Sequence, residues 1–413
     1  MIFTNKRIED QEYLLYFALI VFHIVAFQWW QLAPWAVLAI VMLQLPLLVF
    51  SRKRMFELLT RPIQLIILFI WLAVLWMRTP YMANHLLFEG LVILVLIITS
   101  LIRLAKRQNI PRVRFRHFRM ALPILYILAA LQKCNTDFLD SAYSAHVLEG
   151  AIMHRLGSGM QLPSLVLALG TILLELSAGI LLLLSRTRKW GIALALVMHV
   201  LFAMTGDAGI ISFSMLGVVW LSFFLPKSRT KVMILWPVSI ALVGISQFDY
   251  TLRMTALELS FYIIVVMFIW DWFTVNLDEN SEQVKLPQQV LIGLLLFNFL
   301  TPYLGLKSAQ AFNMFSDLKV SASTNNHLWM PQLTVFPYLK ESYPVNEIET
   351  DCEKVATNLN TRASSTTTHI QLTRSLMRNC GSQGAAMIAK SEEVTGADYL
   401  EYHLLERKLV VFE

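Results

Sequence analysis

The chain alternates between long apolar runs and short polar segments. A helix of about 20 apolar residues spans a hydrocarbon core of about 30 Å. Runs near this length recur through the first three quarters of the chain. They lie near 13–31, 34–50, 61–77, 85–102, 119–133, 164–184, 189–205, 209–225, 231–247, 255–274 and 288–304. The pattern predicts an all-α polytopic membrane helix bundle of about eleven spans.

Basic residues are concentrated in every second loop between these runs. Lys and Arg resist translocation, so short loops that carry them stay in the cytoplasm. We therefore expect the N-terminus in the cytoplasm and, with an odd number of spans, residues 305–413 on the opposite side. The basic loops contain Arg52, Lys53, Arg54 and Arg61, then a run from Arg103 to Arg116, then Arg186, Arg188 and Lys189, and then Lys227, Arg229 and Lys231.

The composition supports a membrane protein, since 56% of residues are hydrophobic and 15% are charged. The net charge of +6 lies in loops that flank helices, where topology and anionic lipid headgroups account for it. Membrane lipids are the expected partners and nucleic acid is not. The first apolar run lacks a small-residue cleavage motif, so we expect no cleavable signal peptide.

The character of the sequence changes near residue 304. We expect two domains: residues 1–304 as the transmembrane helical domain and 305–413 as a small extracytoplasmic α+β domain. No internal repeat and no matched pair of broken spans is visible, which weakens a solute-transport interpretation without removing it. The elements predicted after residue 304 are strands at 318–321 and 333–339, a loop at 361–368 and a short helix at 369–379.

Two of the three cysteines, Cys352 and Cys380, fall in the region expected outside the cytoplasm. An oxidising compartment permits a disulfide between them, which we predict. Cys134 lies alone at a membrane boundary. The alternative is that all three are free thiols.

Ionisable residues inside apolar spans are costly, so each is a functional candidate. Glu175 lies about 14 Å from the inner end of its span, and His199 lies at a similar depth on the next antiparallel span. Matching depth predicts that the carboxylate and the imidazole form a hydrogen bond. The alternative is a buried polar pair that only holds two helices together.

Lys133 lies near the outer end of its span, about 21 Å from Arg119 along a helix. A lysine at this place can extend its amine to the interface. If it cannot, desolvation favours a neutral amine that is able to accept a proton. His85, preceded by Asn84, opens the fourth span from the same side, where an interfacial histidine is the simpler interpretation.

Residues 119–137, RMALPILYILAALQKCNTD, resemble the membrane core of the vitamin K-dependent gamma-carboxylase family and its bacterial HTTM relatives. The match runs without a gap, and three further blocks follow the same family order. The matching positions are Arg119, Tyr126, Lys133 and Asp137; ELSAG at 175–179 with Gly191 and His199; Phe213 and Ser214; and Asn84 and His85 upstream.

The resemblance implies that Lys133 deprotonates a reduced quinone of the vitamin K hydroquinone or menaquinol type. In the family, oxygenation of the resulting anion by O2 produces a strong base that removes a proton from a peptide glutamate, to which CO2 then adds. The apolar helices suit an isoprenoid tail. The implied catalytic residues are Lys133, His85 and Asn84, and the implied cofactor-binding residues are His199, Glu175, Tyr126, Arg119 and Ser214. No metal site is implied.

The chain departs from the family pattern in three respects. Gln132 replaces the first of two adjacent lysines, and the long external domain that binds propeptides is mostly missing. Residues 311–319, AFNMFSDLK, resemble the family segment that holds the substrate glutamate. The corresponding substrate-binding positions are Phe312, Met314 and Lys319, where lysine in place of arginine provides a point charge instead of a bidentate fork.

The sequence thus favours an enzyme of the bacterial inner membrane that couples oxidation of a reduced quinone to modification of a small acidic or peptide substrate outside. Carboxylation is the form of modification that the resemblance implies. The alternative is a non-carboxylating protein of the same type that helps to mature or export a small secreted peptide. Lys133 and His85 favour chemistry, because an export role does not require a desolvated amine.

Overall fold

The computed structural model describes residues 16–17, 19–24, 26, 54–78, 83–106, 115–140, 163–204, 208–225, 250–274, 286–304, 311, 318, 325, 327–331, 342–344 and 366–368. Nearly all of them are helical. After a first helical stretch between 16 and 26, the helices are α1 (Arg54–Arg78), α2 (Asn84–Ala105), α3 (Ala121–Gln132), α4 (Thr136–Asp140), α5 (Ser164–Leu183), α6 (Arg188–Ala203), α7 (Ala208–Ser222), α8 (Tyr250–Thr274) and α9 (Leu286–Leu300). A short 3-10 helix, Phe115–Phe118, precedes α3.

The predicted apolar runs that fall on described residues coincide with these helices. Runs 34–50 and 231–247 lie outside the described residues, so the total of about eleven spans stays a prediction. By length and composition, two helices of the described chain can cross a membrane, Asn84–Ala105 and Leu165–Leu183. Five other described helices contain shorter apolar stretches of 10–17 residues.

Large apolar side chains lie on the outside of the bundle. Trp270 and Phe273 on α8 are 67% and 75% exposed, and Leu286 at the start of α9 is 72% exposed. A water-soluble protein seldom presents such surface, whereas lipid tails accept it. The helix α2 differs because most of its residues are buried, and it therefore lies inside the bundle.

The helix α3 lies at the centre of the described bundle and packs on α5 and α9. Its contact with α5 is close because residue 179 is a glycine. A Cβ at Gly179 would lie 2.8 Å from the carbonyl oxygen of Pro123 and 2.7 Å from a side-chain carbon of Ile127. The absence of a side chain there brings the polar residues of α5 within reach of α3. Further pairs pack around this centre: α5 with α6, α6 with α7, α7 with α8, and α2 with both α1 and α9.

The described part of the C-terminal region contains two short strands. β1 (Ser342–Pro344) pairs antiparallel with β2 (Thr366–Thr368). The loop predicted at 361–368 is therefore wrong for its last three residues. Threonine is β-branched and favours an extended backbone once a partner strand is available.

The other predictions for this region are only partly covered. Leu318 is described and belongs to no strand. The rest of 318–321, the strand at 333–339 and the helix at 369–379 lie outside the described residues. Cys352 and Cys380 lie there too, so their disulfide stays a prediction.

Candidate functional site

A buried ion pair joins the end of α3 to the middle of α5. The Nζ atom of Lys133 lies 3.0 and 2.8 Å from the two carboxylate oxygens of Glu175. The two side chains are only 5% and 4% exposed. Charges removed from water in this way are stable only when they compensate each other, and here the amine contacts both oxygens.

Local structure directs the amine of Lys133 inward. Lys133 is the first residue after α3, and its own N–H donates to the carbonyl of Ala130. A short segment covers this end of the helix: the Nε2 atom of His327 lies 2.9 Å from the carbonyl oxygen of Leu131. Because the side chain is buried, the interfacial alternative for Lys133 is wrong.

The imidazole of His199 has a different partner from the one that its depth predicts. Its Nε2 atom lies 2.5 Å from the hydroxyl oxygen of Tyr126 on α3, and its Nδ1 atom has no hydrogen-bond partner among the described atoms. The predicted hydrogen bond between Glu175 and His199 is therefore wrong. Equal depth does not fix the rotation of each helix, and α3 lies where both side chains can reach it.

The ring of His199 rests directly on the backbone of α7. A Cβ at Gly217 would overlap the imidazole, with Nε2, Cε1 and Cδ2 of His199 as the three nearest atoms. Glycine at position 217 is therefore required for the present position of His199. The sequence contained no signal for this contact, because one glycine in an apolar helix is common.

His85, the second residue of α2, approaches the same part of α7. Its Nε2 atom shares a hydrogen bond of 3.1 Å with the hydroxyl of Ser212. The ring of Phe213 lies 5.9 Å from the ring of His85 and 5.1 Å from that of His199, measured between centroids. Phe213 thus connects two histidines that the sequence predicted for one site.

Two further predicted residues lie near this cluster in the sequence. Asn84 is half-buried and directly precedes His85 at the start of α2. Ser214 follows Phe213; it is fully buried, and its hydroxyl has no hydrogen-bond partner among the described atoms. A buried polar atom without a partner is costly and marks a place where a ligand or water can bind.

Arg119 is not part of the cluster. It lies at the opposite end of α3 from Lys133, about 20 Å away along the helix axis. Its guanidinium lies 5.5 Å from the ring centre of Phe224, which Arg188 also approaches at 5.7 Å. These cation–π contacts hold Arg119 at the end of the bundle that lies away from Lys133.

Gln132, which replaces a family lysine, connects three parts of the chain. Its side-chain nitrogen donates to the carbonyls of Phe299 and Ala311 at 3.0 and 3.1 Å, and the hydroxyl of Tyr303 donates to its side-chain oxygen at 2.7 Å. An ammonium cannot accept the bond from Tyr303. The glutamine therefore attaches the chain after α9 to the end of α3.

The three predicted substrate-binding residues, Phe312, Met314 and Lys319, lie outside the described residues. Ala311, which directly precedes Phe312, is fully buried and bonded to Gln132, the residue before Lys133.

The sequence analysis missed a second buried carboxylate. Glu89 on α2 is fully buried, and one of its oxygens lies 2.7 Å from Nδ1 of His23, which is also fully buried. Glu89 lies within a predicted span, so the rule that singled out Glu175 should have found it.

The model of the HTTM domain matches residues 4–228 of the chain, which is more than half of the 413 residues. All of Lys133, Glu175, Tyr126, His199, His85 and Ser214 lie within the matched region. No curated protein and no solved structure matches the chain. The helices with exposed apolar faces agree with the membrane association of this family. The chain belongs to the family of HTTM-domain membrane proteins.

Proposed function

We propose that this protein is an integral membrane enzyme that couples oxidation of a reduced quinone to modification of an acidic or peptide-borne substrate outside the cytoplasm. The observation that carries the proposal is the buried pair of Lys133 and Glu175 inside an apolar bundle, which also contains the bonded pair of Tyr126 and His199. A quinol of the vitamin K or menaquinone type supplies the reducing equivalents for O2, and CO2 is the co-substrate if the modification is carboxylation.

The polar atoms of the cluster fit a quinone headgroup. Such a ring carries two oxygens on opposite sides and needs polar partners at two separate points. The Nδ1 atom of His199 and the hydroxyl of Ser214 are buried without a described hydrogen-bond partner. Ser214 lies one helical turn from Gly217, against which the Nε2 side of the His199 ring packs. The ring of Phe213 provides an aromatic wall next to them.

The base that we propose is the pair of Lys133 and Glu175. A neutral lysine was expected, whereas the Nζ atom of Lys133 lies 2.8 Å from a carboxylate oxygen of Glu175 and forms an ion pair with it. The two side chains can still accept one proton together, since Lys133 can take a proton while passing one of its own to Glu175. The pair then changes from neutral to singly positive, which favours an anion beside it.

The chain after α9 supports access for a substrate from outside. Residues 327–331 lie over the end of α3, and Ala311 is bonded to Gln132. Phe312, Met314 and Lys319 lie within the eight residues after Ala311. We propose that they hold the acidic substrate near Lys133, with Lys319 supplying the positive charge.

The test uses full-length protein in nanodiscs of its native lipid. Quinones that copurify are identified by mass spectrometry, and added menaquinol is then exposed to O2 and 13C-bicarbonate with a glutamate-containing peptide. We expect bound quinone in the wild type, and we expect Lys133→Ala to retain quinone while its turnover falls by a factor of about 100 or more.

Lys189→Ala is the matched control. This lysine lies at the inner start of α6, where its amine is 5.7 Å from the ring centre of Trp272. Its removal should leave turnover unchanged. A protein that binds no quinone, or that remains fully active as Lys133→Ala, contradicts the proposal and favours the alternative role in maturation or export of a secreted peptide.

A further inference from the structure

Glu89 and His23 form a second buried polar pair that the proposed function does not use. Glu89 lies on α2, one helical turn after His85, and it is fully buried. The indole N–H of Trp71 donates to one of its oxygens at 2.8 Å. The other oxygen lies 2.7 Å from Nδ1 of His23.

The burial of Glu89 requires a compensating proton. A carboxylate inside a membrane bundle costs several kcal/mol unless a positive charge or a proton accompanies it. The N–H of Trp71 provides a hydrogen bond but no charge. The contact with His23 has the distance of an ion pair, although the ring is not aligned for a hydrogen bond. One proton held between His23 and Glu89 would compensate the buried charge.

This pair lies next to the candidate quinone site. The rings of His23 and His85 are 5.5 Å apart between centroids and meet edge to face. His85 in turn contacts Ser212 and Phe213. Phe213 extends this series of contacts to His199, which is bonded to Tyr126 on α3.

A quinol has two hydroxyl groups, and the proposed function gives a proton acceptor to only one of them. We infer that His23 and Glu89 form the proton acceptor for the second hydroxyl, which they reach through His85. The inference rests on the proposed function. The O–H bond breaks and its electron pair stays on the quinol oxygen. The proton passes to His85, which releases one to His23 and Glu89, so that Glu89 becomes a carboxylic acid.

The charges support this arrangement. Once Glu89 is protonated, the positive charge of His23 is no longer compensated by the carboxylate. It then faces the negative oxygen across the ring of His85. Attraction between the two favours the transfer, in the same way that the pair of Lys133 and Glu175 favours it at the other hydroxyl.

Infrared difference spectroscopy on the full-length protein with menaquinone bound tests the inference. An electrode oxidises and reduces the quinone and accepts or supplies the electrons. A carboxylic-acid C=O band that arises from Glu89 should appear on oxidation. The band should be lost in Glu89→Gln. In Glu89→Asp, which keeps a carboxylate and is the control for misfolding of Glu89→Gln, the band should be shifted in frequency. Glu258→Gln on α8, a glutamate outside both pairs, should leave the band unchanged.

The outcomes separate the two proposals. A menaquinone signal with a carboxylic-acid band that survives unchanged in both Glu89 variants overturns this inference and leaves the proposed function standing. A spectrum with a menaquinone signal but no carboxylic-acid band does the same. A protein that binds no menaquinone in either redox state overturns both.

Discussion

The amine of Lys133 contacts both carboxylate oxygens of Glu175 inside the bundle, and both side chains are almost completely buried. This contact joins α3 to α5 and holds the proposed base in place. The pair is therefore important for both stability and chemistry, and the two roles can be measured separately.

The first prediction separates these roles. Removal of one partner in Lys133→Ala or Glu175→Leu should destabilise the protein by about 3–5 kcal/mol, because an uncompensated charge remains buried. The double variant Lys133→Met with Glu175→Leu should recover most of that loss, since apolar side chains suit the site. Thermal unfolding in detergent measures the stability, and menaquinol turnover should stay absent in the double variant.

A small exogenous amine should restore part of the activity of Lys133→Ala, because it can occupy the vacated site beside Glu175. Lys133→Arg should not restore it, since a guanidinium does not release its proton.

In the stability test, additive effects of the single changes at Lys133 and Glu175 would show that the contact between the two side chains contributes little.

The second prediction concerns Gly217. Replacement by alanine places a methyl group into the ring of His199, which must move and lose its bond to Tyr126. Overpacking of this kind costs about 1–3 kcal/mol, and quinone affinity should fall with it. The matched control is Gly293→Ala on α9, where a Cβ meets nothing within 4 Å.

Gly293→Ala should be neutral or stabilise its helix by about 0.5–1 kcal/mol, because alanine is the better helix former. Equal effects of the two substitutions on quinone binding would contradict the assigned position of His199.

The third prediction is a dependence on pH at the end of α3 that His327 covers. Burial lowers the pKa of His327 from its ordinary value of 6.5, and the smaller opposing effect is the bond to the carbonyl of Leu131. The backbone N–H groups of Trp329 and Met330 approach Nδ1 at 3.3 and 3.0 Å, so this nitrogen accepts and carries no proton. Protonation of Nδ1 would break these bonds.

The unfolded segment binds a proton more readily than the folded one, so the contribution of His327 is complete above about pH 6.5 and is lost as the pH falls below it. Hydrogen exchange at residues 327–330 should therefore accelerate between pH 7.5 and 5.5 beyond the intrinsic effect of pH. His327→Gln should remove this excess. Unchanged protection across the range would show that the segment does not depend on the neutral ring.

The fourth prediction concerns topology. The alternation of basic loops places residue 106 in the cytoplasm and residue 365 outside it. Alkaline phosphatase should be active when fused at Ser365 and inactive when fused at Lys106, and fluorescent protein fusions should show the reverse. Activity of the same reporter at both sites would mean that the number of spans between them is even.

The sequence determined which segments are helical and which membrane family they belong to. Apolar runs of the length needed to cross a bilayer give one strong local signal, since the backbone in lipid must satisfy its own hydrogen bonds. The motif around Lys133 could also be recognised, because its residues lie close together in the sequence, on α3 and directly beside it. The family resemblance of this motif assigned Tyr126 and Lys133, seven residues apart, to one site.

The contacts between these residues could not be predicted from the sequence. The rise of a helix fixes the depth of Glu175 and His199 but not the direction in which each side chain points. Both side chains point toward α3, where Glu175 contacts Lys133 and His199 contacts Tyr126. The packing of the helices, including the close approach of α5 to α3 at Gly179, determines these partners.

The pair of His23 and Glu89 depended on tertiary structure in the same way. The two residues are 66 positions apart in the sequence, and no periodic pattern connects them. Hydrophobic patterning reports whether a segment avoids water, and this property belongs to each helix alone. Which polar groups meet inside the bundle depends on helix rotation and on contacts between distant segments, and only the folded structure determines these.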